Sequence, residues 1–294
     1  MQPGKKATTY NYRLSLTLDQ QKFSEGKKMK QLIYLVLSFL IIPNGYSQLA
    51  TPNENGITFG HVHLNISDIE QQKQIWVEHF NGSIIEREAH TVVKLPNMMV
   101  ALTERPPTAG STETTMHHFG FKVRHMDKFL DKWRAAGLEV GSMFLGAEGQ
   151  LNAYVTLPDG VEVEMQEDQG LQEEITGYHV HWFLDNPEEI MQWYVDMFDL
   201  EVRPRGRINT TTNMPGMNFS FGANSSGRQS TLGTAIDHIG FEINNLEEFC
   251  RQLEAKGIVF DIPYHEVPAI GLSSAYFTDP SGVYVELTEG YDEY

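Results

Sequence analysis

The feature that most limits what this chain can fold into is an internal repeat. "MHHFGFKVRHMDKFLDKWRAAGLEV" begins at Met116, and "IDHIGFEINNLEEFCRQLEAKGIVF" begins at Ile236, 120 residues later. Their continuations, "TLPDGVEVEMQED" from Thr156 and "TDPSGVYVELTEG" from Thr278, match at an offset of 122. A second pair, "FGHVHLNISDIEQQKQIWVEHFNGSIIE" from Phe59 and "GYHVHWFLDNPEEIMQWYVDMFDLEV" from Gly177, matches at 118. Self-similarity of this kind means one supersecondary unit used several times.

Each unit opens on a short alternating run, the pattern of a half-buried strand. A stretch of helical period follows, with Ile69, Ile75, Trp76 and Phe80 in the first unit and Met191, Trp193, Tyr194 and Phe198 in the third. Further alternating runs close each unit: "TVVKL" and "MMVAL" in the first, "AYVTL" and "VEVEM" in the second, "MNFSF" in the third. The pattern predicts β-α-β-β-β four times, an α+β chain, with turns at Asn81-Gly82, "AAGLE", "LPDG" and "DPSG". Polar stretches divide the units: "ERPPTAGSTETT" after the first, "EDQGLQEE" between the halves, and "ANSSGRQSTLG" after the third.

The N-terminus is of another kind. "KKMK" (Lys27–Lys30) precedes "QLIYLVLSFLII" and "PNGYSQ", a basic, apolar and small-residue succession that reads as a secretory signal. The apolar run is shorter than the ~20 residues a membrane span needs. Residues 1–47 are therefore expected to be a leader, with Met29 as a candidate true start and Gln48 as the first mature residue. The product would be secreted or periplasmic, with no stable membrane insertion after cleavage. The remainder carries 15 basic and 37 acidic residues, which disfavours nucleic acid or an anionic membrane as partner. Cys250 is the sole cysteine, so no intramolecular disulfide supports the fold. An oligomer is compatible with all of this.

Four such units, with "HV" opening a unit and "DPSGVYVEL" closing one, resemble the vicinal oxygen chelate superfamily: the glyoxalases, fosfomycin- and bleomycin-resistance proteins and extradiol dioxygenases. The resemblance runs from about residue 57 to 290. It implies that modules pair into two cup-shaped, glyoxalase-like domains, expected at 57–168 (modules 1 and 2) and 175–290 (modules 3 and 4). It also implies a divalent metal in each cup. Position by position, the family ligands fall on His61, His118 and Glu164 in the first half, and on His179, His238 and Glu286 in the second. The fourth ligand of glyoxalases has no counterpart, because "MMVAL" offers Ala101 and "MNFSFG" offers no acid.

The residue chemistry agrees with that implication. Two imidazoles and one carboxylate leave open positions on Fe(II), Mn, Zn, Ni or Co. Such an ion can chelate adjacent oxygens and stabilise a developing oxyanion. Taken singly, each residue is equally a strand histidine or a solvated glutamate; the matched recurrence in both halves favours ligation. His63 and His181 lie two residues beyond a ligand and share its face, which makes them acid–base candidates or groups that orient a ligand. Tyr154 and Tyr276, each ten residues before the metal glutamate, are candidates for substrate contact or for core packing. Strand alternation puts His117 on the face away from His118, a structural position. Glu162 shares the face of Glu164 and is a candidate outer partner. "RPRGR" (Arg203–Arg207) is either an anion-receiving loop or a solvated one.

The function expected is an exported, metal-dependent enzyme acting on a small molecule that chelates the metal through vicinal oxygens. Two alternatives stand beside it. One is an extradiol-type ring-cleaving dioxygenase, which Asn218 in "GMNFSF" disfavours because that class places a histidine there. The other is a non-catalytic, drug-sequestering binding protein, which the two ligand sets disfavour.

Overall fold

The computed structural model describes residues 49–224 and 228–294. The expected leader lies outside them. Four βαβββ modules follow one another as the repeat predicts. Module 1 comprises β1 (Ile57–Ile66), α1 (Ile69–Phe80), β2 (Ser83–Arg87), β3 (His90–Leu95) and β4 (Met98–Glu104). Module 2 comprises β5 (Met116–Val123), α2 (Met126–Ala135), β6 (Glu139–Leu145), β7 (Leu151–Leu157) and β8 (Val161–Glu167). Module 3 comprises β9 (Ile175–Leu184), α3 (Pro187–Phe198), β10 (Glu201–Val202), β11 (Thr211–Met214) and β12 (Met217–Ala223). Module 4 comprises β13 (Ile236–Ile243), α4 (Leu246–Ala255), β14 (Ile262–Val267), β15 (Leu272–Thr278) and β16 (Tyr284–Glu289).

Local sequence explains the elements. Asp68 caps α1 by accepting from the Gln71 amide at 2.9 Å. Asn81 ends that helix in the left-handed conformation, which asparagine tolerates. In α2, Phe129, Leu130 and Trp133 recur at helical spacing and are the buried face. Among the described residues, no helix is long and apolar enough to cross a membrane.

The strands form two eight-stranded sheets, ordered β14-β15-β16-β13-β1-β4-β3-β2 and β10-β11-β12-β9-β5-β8-β7-β6. We call them cup A and cup B. This corrects the expected pairing of neighbours: cup A joins module 1 to module 4, and cup B joins module 2 to module 3. The seams are antiparallel, β1 against β13 and β5 against β9. The first strands of all four modules carry the same alternation, so their sequences do not select a partner. The inter-module linkers are consistent with the observed pairing, because they are hydrogen-bonded to each other. Thr115 N bonds to Gln229 O (3.0 Å), Gln229 N to Glu113 O (3.1 Å) and Ala235 N to Ala109 O (2.9 Å). These two linkers run together, with β5 outside the sheet of β1.

The backs of both sheets share one apolar core. Val62, Leu64, Ile239 and Phe241 of cup A and Phe119, Val180, Trp182 and Phe219 of cup B are fully enclosed in it. Phe59 bridges the sheets, 6.0 Å from Phe219 and 6.4 Å from Phe241 between ring centres. Because side chains alternate along a strand, the residues between these apolar ones face the hollow of each cup. His61 and His63, beside Val62, are therefore placed in cup A by the same pattern that builds the core.

The cross-pairing makes a direct prediction. A chain cut to residues 57–168 leaves β1 and β5 without β13 and β9, exposing two long strand edges. We expect it to elute as a dimer or to aggregate on size exclusion. A folded monomer would contradict the pairing.

Candidate metal centres

Each cup gathers two histidines and a glutamate from both of its modules. In cup A, His61 Nε2 lies 2.9 Å, and His238 Nε2 3.1 Å, from Glu286 Oε2. In cup B, His118 Nε2 lies 3.1 Å, and His179 Nε2 3.7 Å, from Glu164 Oε2. All six predicted ligands are thus brought to a centre, but the sets are regrouped. His61 works with His238 and Glu286, not with His118 and Glu164. His179 works with His118 and Glu164, not with His238 and Glu286.

Register explains the convergence. Across each antiparallel seam a histidine meets a glycine: His61 opposite Gly240, and His179 opposite Gly120. Those glycines in turn neighbour Glu286 and Glu164 on the next strand. The rings fill the space a side chain would need. A Cβ on Gly240 would sit 1.9 Å from His61 Cε1, and one on Gly120 would sit 2.2 Å from His179 Cε1. The glycines of "HIGF" and "HFGF" are part of both sites, a signal present in the sequence that the ligand-by-ligand reading passed over.

Outer contacts hold the ligands, and they differ between cups. Asp237 Oδ1 is 2.7 Å from His238 Nδ1, which leaves Nε2 for Glu286 and an ion. Ser274 Oγ donates to Glu286 Oε1 at 2.8 Å, and Tyr276 Oη donates to the same oxygen at 2.5 Å. In cup B, Asn152 Nδ2 donates to Glu164 Oε1. The partner of His118 Nδ1 is His117 Nδ1, at 2.9 Å. His117 is not turned away, as alternation predicts. A register shift between Met116 and His118 swings it to the mouth of cup B. There its Nδ1 lies 3.5 Å from Glu162 Oε1.

The inner histidines lie at the same centres. A ring nitrogen of His181 comes within 4.8 Å of ligand atoms of His118, Glu164 and His179, and one of His63 comes as close to those of His61 and His238. His63 Nε2 is held by Thr103 Oγ1 at 2.8 Å. His181 stacks on Phe183 at 4.8 Å. Tyr154 packs edge-on to His118 at 5.3 Å, and Tyr276 to His238 at 5.7 Å. His265 is exposed and stacks on Tyr276 at 6.4 Å. Asn218 is engaged by Thr212 O (3.0 Å) and Ser220 Oγ (2.9 Å).

Burial sets the protonation states. It lowers His61 and drives His63 and His181 well below the usual imidazole range, so each presents a neutral ring with a free lone pair. Burial likewise takes His179 down to about 4, aided by the charge of Arg205. Burial alone would raise Glu286, but the hydrogen bond to His238 and the adjacent His61 ring outweigh it and hold the carboxyl well below its ordinary value. Glu164 is held low against burial by His179 and His118. His238 is the exception among the imidazoles: Asp237 and Glu286 overcome burial and raise it to about 9. Both tyrosines are raised by burial and by the neighbouring glutamate, so they remain protonated donors.

The donor set fits a metal. Both nitrogens of His61 and of His179, together with His118 Nε2 and His181 Nδ1, are buried and make no hydrogen bond. Those facing a glutamate are close to it but out of line for a proton. Buried polar atoms without partners are costly, and a cation between them relieves several at once. A surface cavity of ≈ 560 Å³ lies to one side, along Lys122, Tyr178 and Asn218.

The family model "Glyoxalase/Bleomycin resistance protein/Dioxygenase superfamily" matches residues 58–165 and 178–287. A point mutant of glyoxalase I from Zea mays has a similar structure, with TM-score 0.65 and 15% identity over 81% of this chain and 95% of that one. A proposed dioxygenase from Bacillus subtilis gives TM-score 0.64 and 10% identity over 83% and 88%. At these identities the likeness is one of fold. No curated protein matches the chain.

Two predictions follow from the geometry. In metal-stripped protein, His238 stands above the unfolded imidazole value of 6.5. Its stabilisation is complete below that value and is lost as pH rises through about 9. Thermal unfolding between pH 6 and 10 should therefore fall at the alkaline end, and Asp237→Asn should flatten the fall. Separately, Gly240→Ala and Gly120→Ala should each destabilise by about 1–3 kcal/mol in denaturant titrations, and each should lower metal uptake at its own centre.

Proposed function

The chain belongs to the glyoxalase/bleomycin resistance protein/dioxygenase superfamily, and from that premise we propose that it is a metal-dependent enzyme. Its substrate would be a small molecule that chelates a divalent ion through vicinal oxygens. The observation that carries this reading is the pair of buried His, His, Glu clusters with unpartnered ring nitrogens.

His61, His238 and Glu286 would hold one ion, and His179, His118 and Glu164 the other. The ion, when bound, supplies Lewis acidity toward the chelated oxygens. His181 and His63 complete the donor sets where Ala101 and Ser220 leave no carboxylate; β1 pairs His63 with Ala101, and β9 pairs His181 with Ser220. Tyr276 orients Glu286 through its hydroxyl, and Tyr154 stands at the matching place in cup B. Neither is a base, since both stay protonated. Export to the periplasm or medium belongs to the same proposal and rests on the leader sequence.

A ring-cleaving dioxygenase is the second reading, favoured by the two-histidine, one-carboxylate donor set that suits Fe(II). Oxygen uptake with a catechol by the iron-loaded protein supports it; its absence leaves the broader proposal in place.

Elemental analysis tests the main reading. We expect two metals per chain. His61→Ala and His238→Ala should each reduce this to one, and the two together should still leave one. His61→Ala combined with His118→Ala should leave none. A metal-free wild-type protein would sink the proposal and favour a non-catalytic binder.

A further inference from the structure

We propose that cup B holds an anion subsite, in which Arg205 receives the carboxylate of a small ligand. This deepens the reading of cup B as a ligand-binding site and names a substrate class for it. The starting point is the "RPRGR" segment. Arg203 and Arg207 are exposed, but Arg205 is turned inward and only 6% exposed. The loop is fixed in that position. Arg207 N bonds to Ala147 O at 3.1 Å, and a Cβ on Gly206, whose φ is +55°, would lie 2.2 Å from the same carbonyl oxygen. The chain thus uses a glycine to bring this arginine against the 146–149 turn.

Inside, the guanidinium is incompletely matched. Its Nε and Nη1 are buried and make no hydrogen bond. Glu148 Oε2 is 3.9 Å from Nε, but that oxygen already accepts from Tyr178 Oη at 2.8 Å and Gln166 Nε2 at 3.1 Å. The Tyr178 ring lies 5.3 Å from the guanidinium carbon and 4.3 Å from Lys122 Nζ. A second cation therefore borders the same ring. The charge of Arg205 reaches the centre itself, where it bears on His179, His181 and Tyr154. The ≈ 560 Å³ cavity shares Tyr178 and Lys122 with this cluster and is also walled by Asn218, the strand neighbour of His179; Arg205 stands behind the Tyr178 ring rather than on the cavity wall.

Cup A is built differently at its corresponding floor. There His90, which burial pushes down to about 4, is 2.8 Å from Tyr291 Oη, and the Tyr291 ring lies 5.0 Å from His61. Arg87 is engaged elsewhere, 3.7 Å over the Tyr294 ring and donating to Glu293 O at 2.6 Å. One cup thus presents a buried cation with incomplete hydrogen bonds beside its candidate metal ligands, and the other presents a neutral ring. A carboxylate supplies the missing acceptors, and guanidinium is the side chain whose geometry suits it.

The probes are benzoate, 3,4-dihydroxybenzoate and, as an uncharged control, catechol. In calorimetric titration of the full chain, stripped of metal, benzoate should bind once per chain. Arg205→Met should weaken it by about tenfold or more, as expected for loss of a charged hydrogen bond, and Arg205→Lys should retain part of it. Glu148→Gln removes the competing carboxylate and should tighten binding, which decides the matter even where Arg205→Met does not fold. In metal-loaded protein, 3,4-dihydroxybenzoate should bind more tightly than catechol, and Arg205→Met should erase the difference. Absence of saturable benzoate binding to wild type, or equal affinity in folded Arg205→Met, overturns the proposal. Metal content of the same samples is read separately. Saturable benzoate binding by wild-type protein that takes up no metal at all would sink the metal reading and leave this one standing.

Discussion

Two antiparallel seams, β1 with β13 and β5 with β9, support everything else in the molecule. Each seam closes an eight-stranded sheet from two modules, and each sets a histidine over a glycine. The same backbone hydrogen bonds that hold the sheet together therefore fix the imidazole within reach of a carboxylate two strands away. A one-residue slip would turn His61 and His179 into the apolar core and bring Val62 and Val180 into the cups. Register is secured against this by Val62, Leu64, Val180 and Trp182, all fully enclosed behind the strands. Stability and ligand placement are thus one constraint here.

Much of the architecture is legible in the sequence, for an identifiable reason. Strand alternation and helical period are local, so four modules and the faces of their strands can be read residue by residue. The six candidate ligands sit at repeat-matched places, which singles them out from ordinary strand histidines and glutamates. The pairing of modules is not local. It goes with linkers that hydrogen-bond to one another, Glu113 and Thr115 with Gln229, across more than a hundred residues. Nothing in either linker alone announces the other. His117 was hidden for a different reason, since a bulge breaks the alternation that would turn it away. Arg205 was half legible: the basic cluster stands out in an acidic chain, but only the Gly206 turn shows which of three arginines goes inward.

The two cups share a plan but not a lining. Where Asp237 braces His238, His117 braces His118. Where Ser274 and Tyr276 bind Glu286, Asn152 binds Glu164. Thr103 holds His63, while the matching position beside His181 is Gly222, where a Cβ would crowd His181 Nε2 and the Phe183 ring at 3.0 Å. An Asp-braced histidine is a more basic donor than one braced by a neutral imidazole. The two candidate centres thus differ in the basicity of their braced histidines.

The surroundings of the two cups also diverge after their last strands. Residues 168–174 lead from β8 to β9, whereas residues 290–294, after β16, turn back beneath cup A. Glu242 anchors the turn by accepting from the amides of Gly290 (2.7 Å) and Tyr291 (3.0 Å). Tyr291 is thereby placed under His61, with the His90 ring against its hydroxyl. Cup B lacks such a strap, and its floor is left to the 146–149 turn and the arginine loop. Repeated modules that begin with the same candidate ligands thus have different surroundings. A neutral, tyrosine-floored centre and a cation-floored centre are the chemical result.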